Sequence, residues 1–162
     1  PLTDTLNITV EVISTGYVLT EFTFAEFGDY YLSDNSTSVT ASGRLQVASQ
    51  TETCPPINFP CLDSEVFNVS GLDTVGATTD WSGGTTVNLA DTAGWGSDTL
   101  VTAQIQNNLS ATTLNDGELA WIQKKAGGVS LEVSVVPVPA AVWLFGSALG
   151  MLGWIRRRSA LK

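Results

Sequence analysis

Apolar and polar residues alternate along most of this chain, and this alternation restricts its fold more than any other feature. In the segment TLNITVEVI, residues 5–13, every second side chain is apolar, which is the period of a β-strand with one buried face. The segment YVLTEFTF, residues 17–24, follows after the turn residues STG. The sequence therefore predicts that the chain opens with a β-hairpin.

Later segments repeat this pattern. Each is short, rich in Val, Ile, Thr or aromatic residues, and bounded by Gly, Asn, Asp or Ser. No stretch of ten residues within residues 1–134 sustains the apolar spacing of a helix. The sequence predicts an all-β domain, an antiparallel β-sandwich of the jelly-roll-like or immunoglobulin-like kind. The later strand-like segments are residues 38–49, 65–71, 85–90, 98–109, 117–125 and 129–136.

The charge is divided sharply along the chain. Residues 1–136 carry all 16 acidic side chains and only three basic ones, a net charge of −13, whereas residues 137–162 carry four basic side chains and no acidic ones. An acidic domain repels polyanions, so nucleic acid is excluded as a partner. The chain begins at Pro1 and enters a strand-like pattern at once, which predicts a mature product that has lost a leader peptide.

The two cysteines, Cys54 and Cys61, are predicted to form a disulfide. They enclose the residues PPINFP, a segment too rich in proline for a helix, so the bond closes a short loop. A disulfide implies an oxidising compartment outside the cytoplasm. The alternative is a pair of free thiols. A zinc site lacks ligands, because the chain has no histidine and no second cysteine pair.

Two tryptophans are candidates for glycan stacking. Trp81 and Trp95 lie among Gly, Ser and Asp in the segment DWSGGTTVNLADTAGWGSD, residues 80–98. Glycine beside tryptophan exposes an aromatic face on which a sugar ring can stack, and Trp121 adds a third indole. The alternative is that these tryptophans fill the ends of the core, which is the commoner role of a tryptophan in an all-β domain.

The usual catalytic motifs are missing from the sequence. Without histidine there is no Ser-His-Asp or Cys-His arrangement, and no GxSxG, P-loop, HExxH or CxxC motif occurs. A carboxylate pair for glycoside hydrolysis stays open, although no pair stands out. Four loop aspartates carry the carboxylate oxygens that calcium prefers as ligands, but they lack the DxDxDG spacing of a calcium-binding loop. We therefore expect no metal and no cofactor. These aspartates are Asp73, Asp80, Asp91 and Asp98. Asn-x-Ser/Thr sequons occur at Asn7, Asn35, Asn68 and Asn108.

The C-terminal segment is predicted to be a membrane-spanning helix. Residues 138–155 carry no charge, and a helix over residues 139–158 is about 30 Å long, enough to cross a bilayer. The positive-inside rule places the arginines that follow on the cytoplasmic side. One helix face carries Gly146, Gly150 and Gly153, a surface for a partner helix or for another copy. The alternative is that this spacing belongs to a processing signal.

The segment VPVPAAVWLFGSALGMLGWIRRR resembles the PEP-CTERM sorting signal of Gram-negative bacteria, with a Pro-x-Pro, an apolar helix and an arginine cluster in the same order. Val138 stands where the family has its glutamate. The resemblance implies processing by an exosortase, a β domain in the periplasm at the inner membrane, and in many relatives release to the cell surface or matrix. The matching residues are Val136, Pro137, Val138, Pro139, Arg156, Arg157 and Arg158.

The sequence thus predicts an exported acidic β domain over residues 1–134, a linker over 135–138, a transmembrane helix over 139–158 and a cytoplasmic tail over 159–162. We expect a non-enzymatic structural or interaction protein, whose partners are the lipid bilayer, the exosortase, and partner transmembrane helices or itself. It would act either as an accessory subunit of a membrane complex or as a self-assembling surface component. The alternative function is a surface carbohydrate-binding module or a glycan-acting enzyme.

Overall fold

The computed structural model describes residues 2–56 and 59–138, and this part of the chain is built from β-strands. One short 3-10 helix, Leu89–Asp91, interrupts them. The prediction of an all-β domain is confirmed. The strands are β1 (Leu2–Glu11), β2 (Tyr17–Leu32), β3 (Ser38–Cys54), β4 (Phe59–Asn68), β5 (Thr79–Asn88), β6 (Leu100–Thr112) and β7 (Ala120–Pro137).

The strands form two antiparallel sheets. A four-stranded sheet has the order β1-β6-β3-β4, and a three-stranded sheet has the order β5-β2-β7. Their apolar faces pack together, with Phe22 and Phe24 of β2 in one cluster with Leu45 and Val47 of β3. The predicted antiparallel sandwich is confirmed.

The predicted opening hairpin is wrong. Strand β1 pairs with β6 in one sheet, and β2 pairs with β5 and β7 in the other. Residues 12–16 carry the chain between the sheets. Alternation shows which face of a strand is buried, and it does not show which strand lies beside it.

The last strand is longer than the sequence pattern predicts. The two segments 117–125 and 129–136 join into β7, with an irregularity in its pairing to β2 between Glu26 and Gly28. Its final residue, Pro137, is aligned with Tyr17. Residues 135–137, which were predicted as a linker, are therefore strand residues.

The core is divided by a polar layer. One apolar cluster includes Phe22, Phe24 and Ile105, and another includes Tyr30, Leu32 and Trp81. Between them, the inward positions are occupied by Glu26 and Gly28 on β2, Gly43 on β3 and Asn107 on β6. Charged and amide groups thus occupy the middle of the sandwich.

The predicted disulfide is confirmed. Cys54 and Cys61 are bonded, with their Cα atoms 4.9 Å apart, at the connection between β3 and β4. Both side chains are buried in the first apolar cluster.

Within residues 2–56 and 59–138, no helix has the length and apolarity needed to cross a bilayer. The predicted transmembrane helix over residues 139–158 and the tail over 159–162 lie outside the described residues. The same holds for Pro139, for the glycines at 146, 150 and 153, and for the arginines at 156–158.

Candidate functional site

The sandwich is open on the side between β1 and β7. Strand β7 lies over β6, β2 lies over β3, and β5 lies over β3 and β4, so β1 is covered only in part: its inward Ile8 and Val10 pack at the margin of the core. Leu6 shows the consequence: it faces inward beside the buried Ile105, yet it is 49% exposed. We call this opening the β1–β7 cleft.

One end of the cleft is an apolar groove. It has a volume of about 480 Å³ and includes Val10, Val12 and Ile13 on the β1 side and Val133 and Val135 on the β7 side. Two polar residues, Glu11 and Ser14, also line it. The β7 residues 129–136 form a sheet edge with one charged side chain, Glu132. An exposed apolar edge of this kind is a template for pairing with another strand.

The middle of the cleft holds a buried ion pair. The inward phase of β2 places Glu26 two residues after Phe24, and its exposure is 1%. The Nζ of Lys124, on the edge strand β7, lies 2.9 Å from Glu26 Oε2. Burial raises the pKa of the Glu26 carboxyl, and the hydrogen bond and charge of Lys124 offset part of that rise.

Asn107 lies in the same layer and lacks a partner for its carbonyl oxygen. Its exposure is 6%, and its Oδ1 has no hydrogen-bond partner among the described residues. Gly43 makes room for it, since a Cβ at that position would lie 2.7 Å from Oδ1. Orphaned buried acceptors are uncommon in folded proteins.

Asn107 and Lys124 line a second cavity of the cleft, which we call the polar cavity. Its volume is about 250 Å³. Apart from Asn107 and Lys124, the lining residues are Leu2, Asp4, Leu109, Ile122 and Gln123.

The predicted glycan-stacking tryptophans are core residues. Trp81 is 4% exposed, and its Nε1 donates to the Gln123 carbonyl at 3.2 Å. Trp95 is 3% exposed, and its Nε1 donates to Asp98 Oδ2 at 3.3 Å. Neither indole presents a face to solvent, so the prediction that a sugar ring stacks on Trp81 and Trp95 is wrong. Both tryptophans fill the ends of the core instead. Trp121 is half-buried and stacks on Tyr31.

Asp98 closes one end of the sandwich. Its buried carboxylate accepts hydrogen bonds from the hydroxyls of Ser49 and Thr51 and from the backbone N–H groups of Thr99 and Leu100. Its backbone also pairs with Leu19 of the other sheet. Burial raises the pKa of Asp98, but the hydrogen bonds outweigh it, so the net pKa is lowered.

The four aspartates that were considered as calcium ligands do not lie around a common point. The Asp98 carboxylate already accepts hydrogen bonds from protein groups, and Asp80 Oδ1 lies 2.7 Å from Lys125 Nζ. Within the described part of the chain, no three side chains of the metal-ligating types are grouped so that they could hold an ion.

Glu118 ties together two loops at the opposite end. Its carboxylate accepts bonds from the side chains of Asn115 and Ser36 and from the backbone N–H groups of Asn115 and Leu114. These bonds, led by that of the Asn115 side chain, lower the pKa of Glu118 to about 2. The sequence pattern does not mark Asp98 and Glu118 as anchors, because Ser36, Ser49 and Thr51 are distant in sequence and other donors are backbone N–H groups. The Asn115 side chain, three residues before Glu118, is a local signal for this role.

The sorting-motif residues lie partly within the fold. Val136 and Pro137 end β7, and the Val138 N–H donates to the Gly16 carbonyl at 2.7 Å. The sequon asparagines are all exposed. Three lie on the outer face of the four-stranded sheet, and Asn35 lies in the turn between β2 and β3.

No protein-family model, curated protein or solved structure matches this chain.

Proposed function

We propose that this chain is an exported, non-enzymatic interaction protein held at the bacterial inner membrane by its C-terminal helix, with the β domain in the periplasm. It acts as an accessory subunit of a membrane complex. The helix packs through its glycine face, and the β domain contacts the same complex through the apolar groove.

The observation that carries this proposal is the incomplete cover over the inward face of strand β1. A closed sandwich would bury the inward face of β1, but here the groove leaves apolar side chains of β1 and β7 open to solvent. An extended segment of a partner fits this opening, because it would pair with the free edge of β7 and cover the face of β1.

The position of the groove favours a partner in the same membrane. The chain reaches residue 138 beside Gly16, and Tyr17 and Val135 line the groove. The predicted membrane helix starts one residue later. The groove therefore lies where the domain joins its anchor, within reach of an extracytoplasmic segment of a membrane protein.

Site-specific photo-cross-linking tests the proposal. A photoreactive residue replaces Val135 in the groove, and the matched control replaces Val66, an exposed valine on β4 at the far edge of the other sheet. In native membranes, we expect Val135 to cross-link to an extended segment of one membrane protein, which mass spectrometry maps, and Val66 to give no such product.

The mass of the solubilised particle supplies the second measurement. A heteromeric particle that contains the cross-linked protein supports the subunit proposal. Cross-links only between copies of this chain, in a particle of integral multiples of its mass, would replace that proposal with self-assembly. Equal cross-linking from Val135 and Val66 would reject the groove as the contact surface.

A further inference from the structure

We propose that the partner segment received by the apolar groove is a basic amphipathic strand, in which apolar residues alternate with lysine or arginine. The inference rests on the proposed function, which brings an extended segment of a partner to the free edge of β7. It adds the chemistry of that segment.

The inward side of the groove calls for apolar residues at alternate positions of the partner strand. Leu131, Val133 and Val135 of β7 are aligned with inward residues of β2. Val10 and Val12 line the opposite side of the groove and are only partly buried. A strand added beside β7 continues both faces of its sheet, so every second side chain of that strand enters the groove between these valines.

The outward side of the same edge is acidic. Glu132 is aligned with Thr23, and Glu21 is aligned with Ser134, so both glutamates lie on the outward face of the three-stranded sheet. Glu11 lines the groove from the β1 side. A strand added beside β7 would place its outward side chains next to Glu132. Opposite charges stabilise such a cross-strand pair, and like charges destabilise it.

These three carboxylates have no cationic partner within the described part of the chain. The ion pairs found there join Lys124 to Glu26 and Lys125 to two aspartates, Asp29 and Asp80. The third basic side chain of residues 1–136, Arg44, lies on β3 of the other sheet. Basic residues of a partner therefore meet unpaired carboxylates on a domain whose net charge is −13, which also speeds their association.

A second copy of this chain does not supply such a strand. Among the described strands, only β3 and β7 contain basic residues. Arg44 lies on a strand with neighbours on both sides, and Lys124 and Lys125 are already ion-paired. A strand from another copy would bring neutral or acidic side chains to Glu132, so the charges favour a different protein as the partner.

Binding of synthetic peptides to the full chain in a neutral detergent tests the inference. Three fluorescent seven-residue peptides carry valine at every second position and lysine, threonine or glutamate at the others, and fluorescence anisotropy measures their dissociation constants. We expect the lysine peptide to bind about tenfold more tightly than the threonine peptide, and the glutamate peptide to bind most weakly. A fourth peptide has the composition of the lysine peptide with its valines contiguous. It should bind about tenfold more weakly than the alternating one, because its apolar side chains no longer share one face.

Two matched pairs of variants locate the binding. Glu132→Gln is expected to reduce the preference for lysine over threonine to about threefold, whereas Glu65→Gln changes an exposed glutamate on the edge strand β4 and leaves the preference unchanged. Val135→Lys puts a charge into the groove and should weaken the binding of every alternating peptide about tenfold. Val66→Lys makes the same change at an exposed position of β4 and should have no effect.

The inference is overturned if no alternating peptide binds, if the lysine and threonine peptides bind equally, or if the contiguous-valine peptide binds as tightly as the alternating one. It is also overturned if either control variant acts as strongly as its partner in the pair. None of these outcomes alters the cross-link of Val135 to a membrane protein, on which the proposed function is judged. Conversely, a lysine preference that depends on Glu132, found together with cross-links only between copies of this chain, would contradict the subunit function and support the chemistry of the edge.

Discussion

Asp98 connects the two sheets. Its carboxylate accepts hydrogen bonds from donors on β3 and β6, and its backbone pairs with β2. Replacing Asp98 with Asn turns one acceptor oxygen into a donor that faces other donors. We expect Asp98→Asn to lower the free energy of unfolding by about 2–3 kcal/mol, because buried hydrogen bonds to a charged group are lost. Urea unfolding measures the change.

Asp91→Asn is the matched control for Asp98→Asn, since Asp91 is exposed a few residues earlier. It is expected to stay within about 0.5 kcal/mol of the parent, as surface substitutions usually do. Equal effects of the two substitutions would contradict the role given to Asp98.

Glu118 makes stability depend on pH at the acid end. Its pKa is about 2 in the folded protein against the usual 4.5 of a glutamate side chain, so the folded state favours the deprotonated form. The stability from Glu118 is complete above about pH 4.5 and is lost as the pH falls towards 2. In the parent protein the urea midpoint of unfolding should fall as the pH is lowered from about 4.5 towards 2, and Glu118→Gln is expected to make this fall smaller. Asp116→Asn, in the same loop, is the control and should leave the fall unchanged.

Asp98 and Glu26 act on the same pH profile in opposite directions. The lowered pKa of Asp98 adds to the loss of stability in acid, whereas the raised pKa of Glu26 means that its protonation gains stability as the pH falls. Glu26→Gln is therefore the variant expected to steepen the acid loss. An unchanged acid limb in both Glu118→Gln and Glu26→Gln would contradict these assignments.

The sequence pattern contained one signal for the buried ion pair that was not used. Leu19, Phe22 and Phe24 face inward on β2, and Glu26 continues their phase. A charged residue at an apolar position of a strand indicates a buried partner, but the predicted strand ended at Phe24. Nothing local pointed to Asn107 or Lys124, because their meeting depends on which sheet each strand joins.

At the scale of elements, β7 is an edge strand whose first half is protected from pairing with other chains and whose second half is open to such pairing. Lys124 points inward from this edge, a device that discourages pairing with other chains. Removing Lys124 alone leaves Glu26 buried without a counter-ion. We expect Lys124→Met to cost about 3–5 kcal/mol, and the pair Glu26→Leu with Lys124→Met to cost much less. Chemical unfolding compares the two.

The same double variant tests the protection of the edge. The double variant removes the charge that points inward from the first half of β7, so we expect more concentration-dependent association than in the parent. Light scattering measures it. Parent-like scattering would mean that the pairing irregularity and the other edge residues protect β7 without Lys124.

The positions of the strands could be predicted from the sequence, but the pairing of the strands in the two sheets could not. Alternation located the strands, and the short cysteine spacing predicted the disulfide, because both are local properties of the chain. The β1–β7 cleft arises from the unequal number of strands in the two sheets. That inequality depends on long-range pairing, which a period-two pattern does not encode.

At the scale of the whole molecule, the proposed function uses two contact surfaces, the apolar groove and the glycine face of the predicted membrane helix. At 100° per residue, Gly146, Gly150 and Gly153 share one side of a helix and Ala148 falls on the other. Gly150→Leu would hold a neighbouring helix away, whereas Ala148→Leu adds a similar side chain to the opposite side.

We therefore expect Gly150→Leu to remove the chain from its membrane complex in detergent, and Ala148→Leu to leave the complex intact, as measured by particle mass. If the groove acts as a second contact, Gly150→Leu should lower the yield of the Val135 cross-link in intact membranes without abolishing it, because tethering in one bilayer keeps the effective concentration high. Loss of the complex in both helix variants would point to a general failure of insertion. Retention in both would assign the packing to another face of the helix.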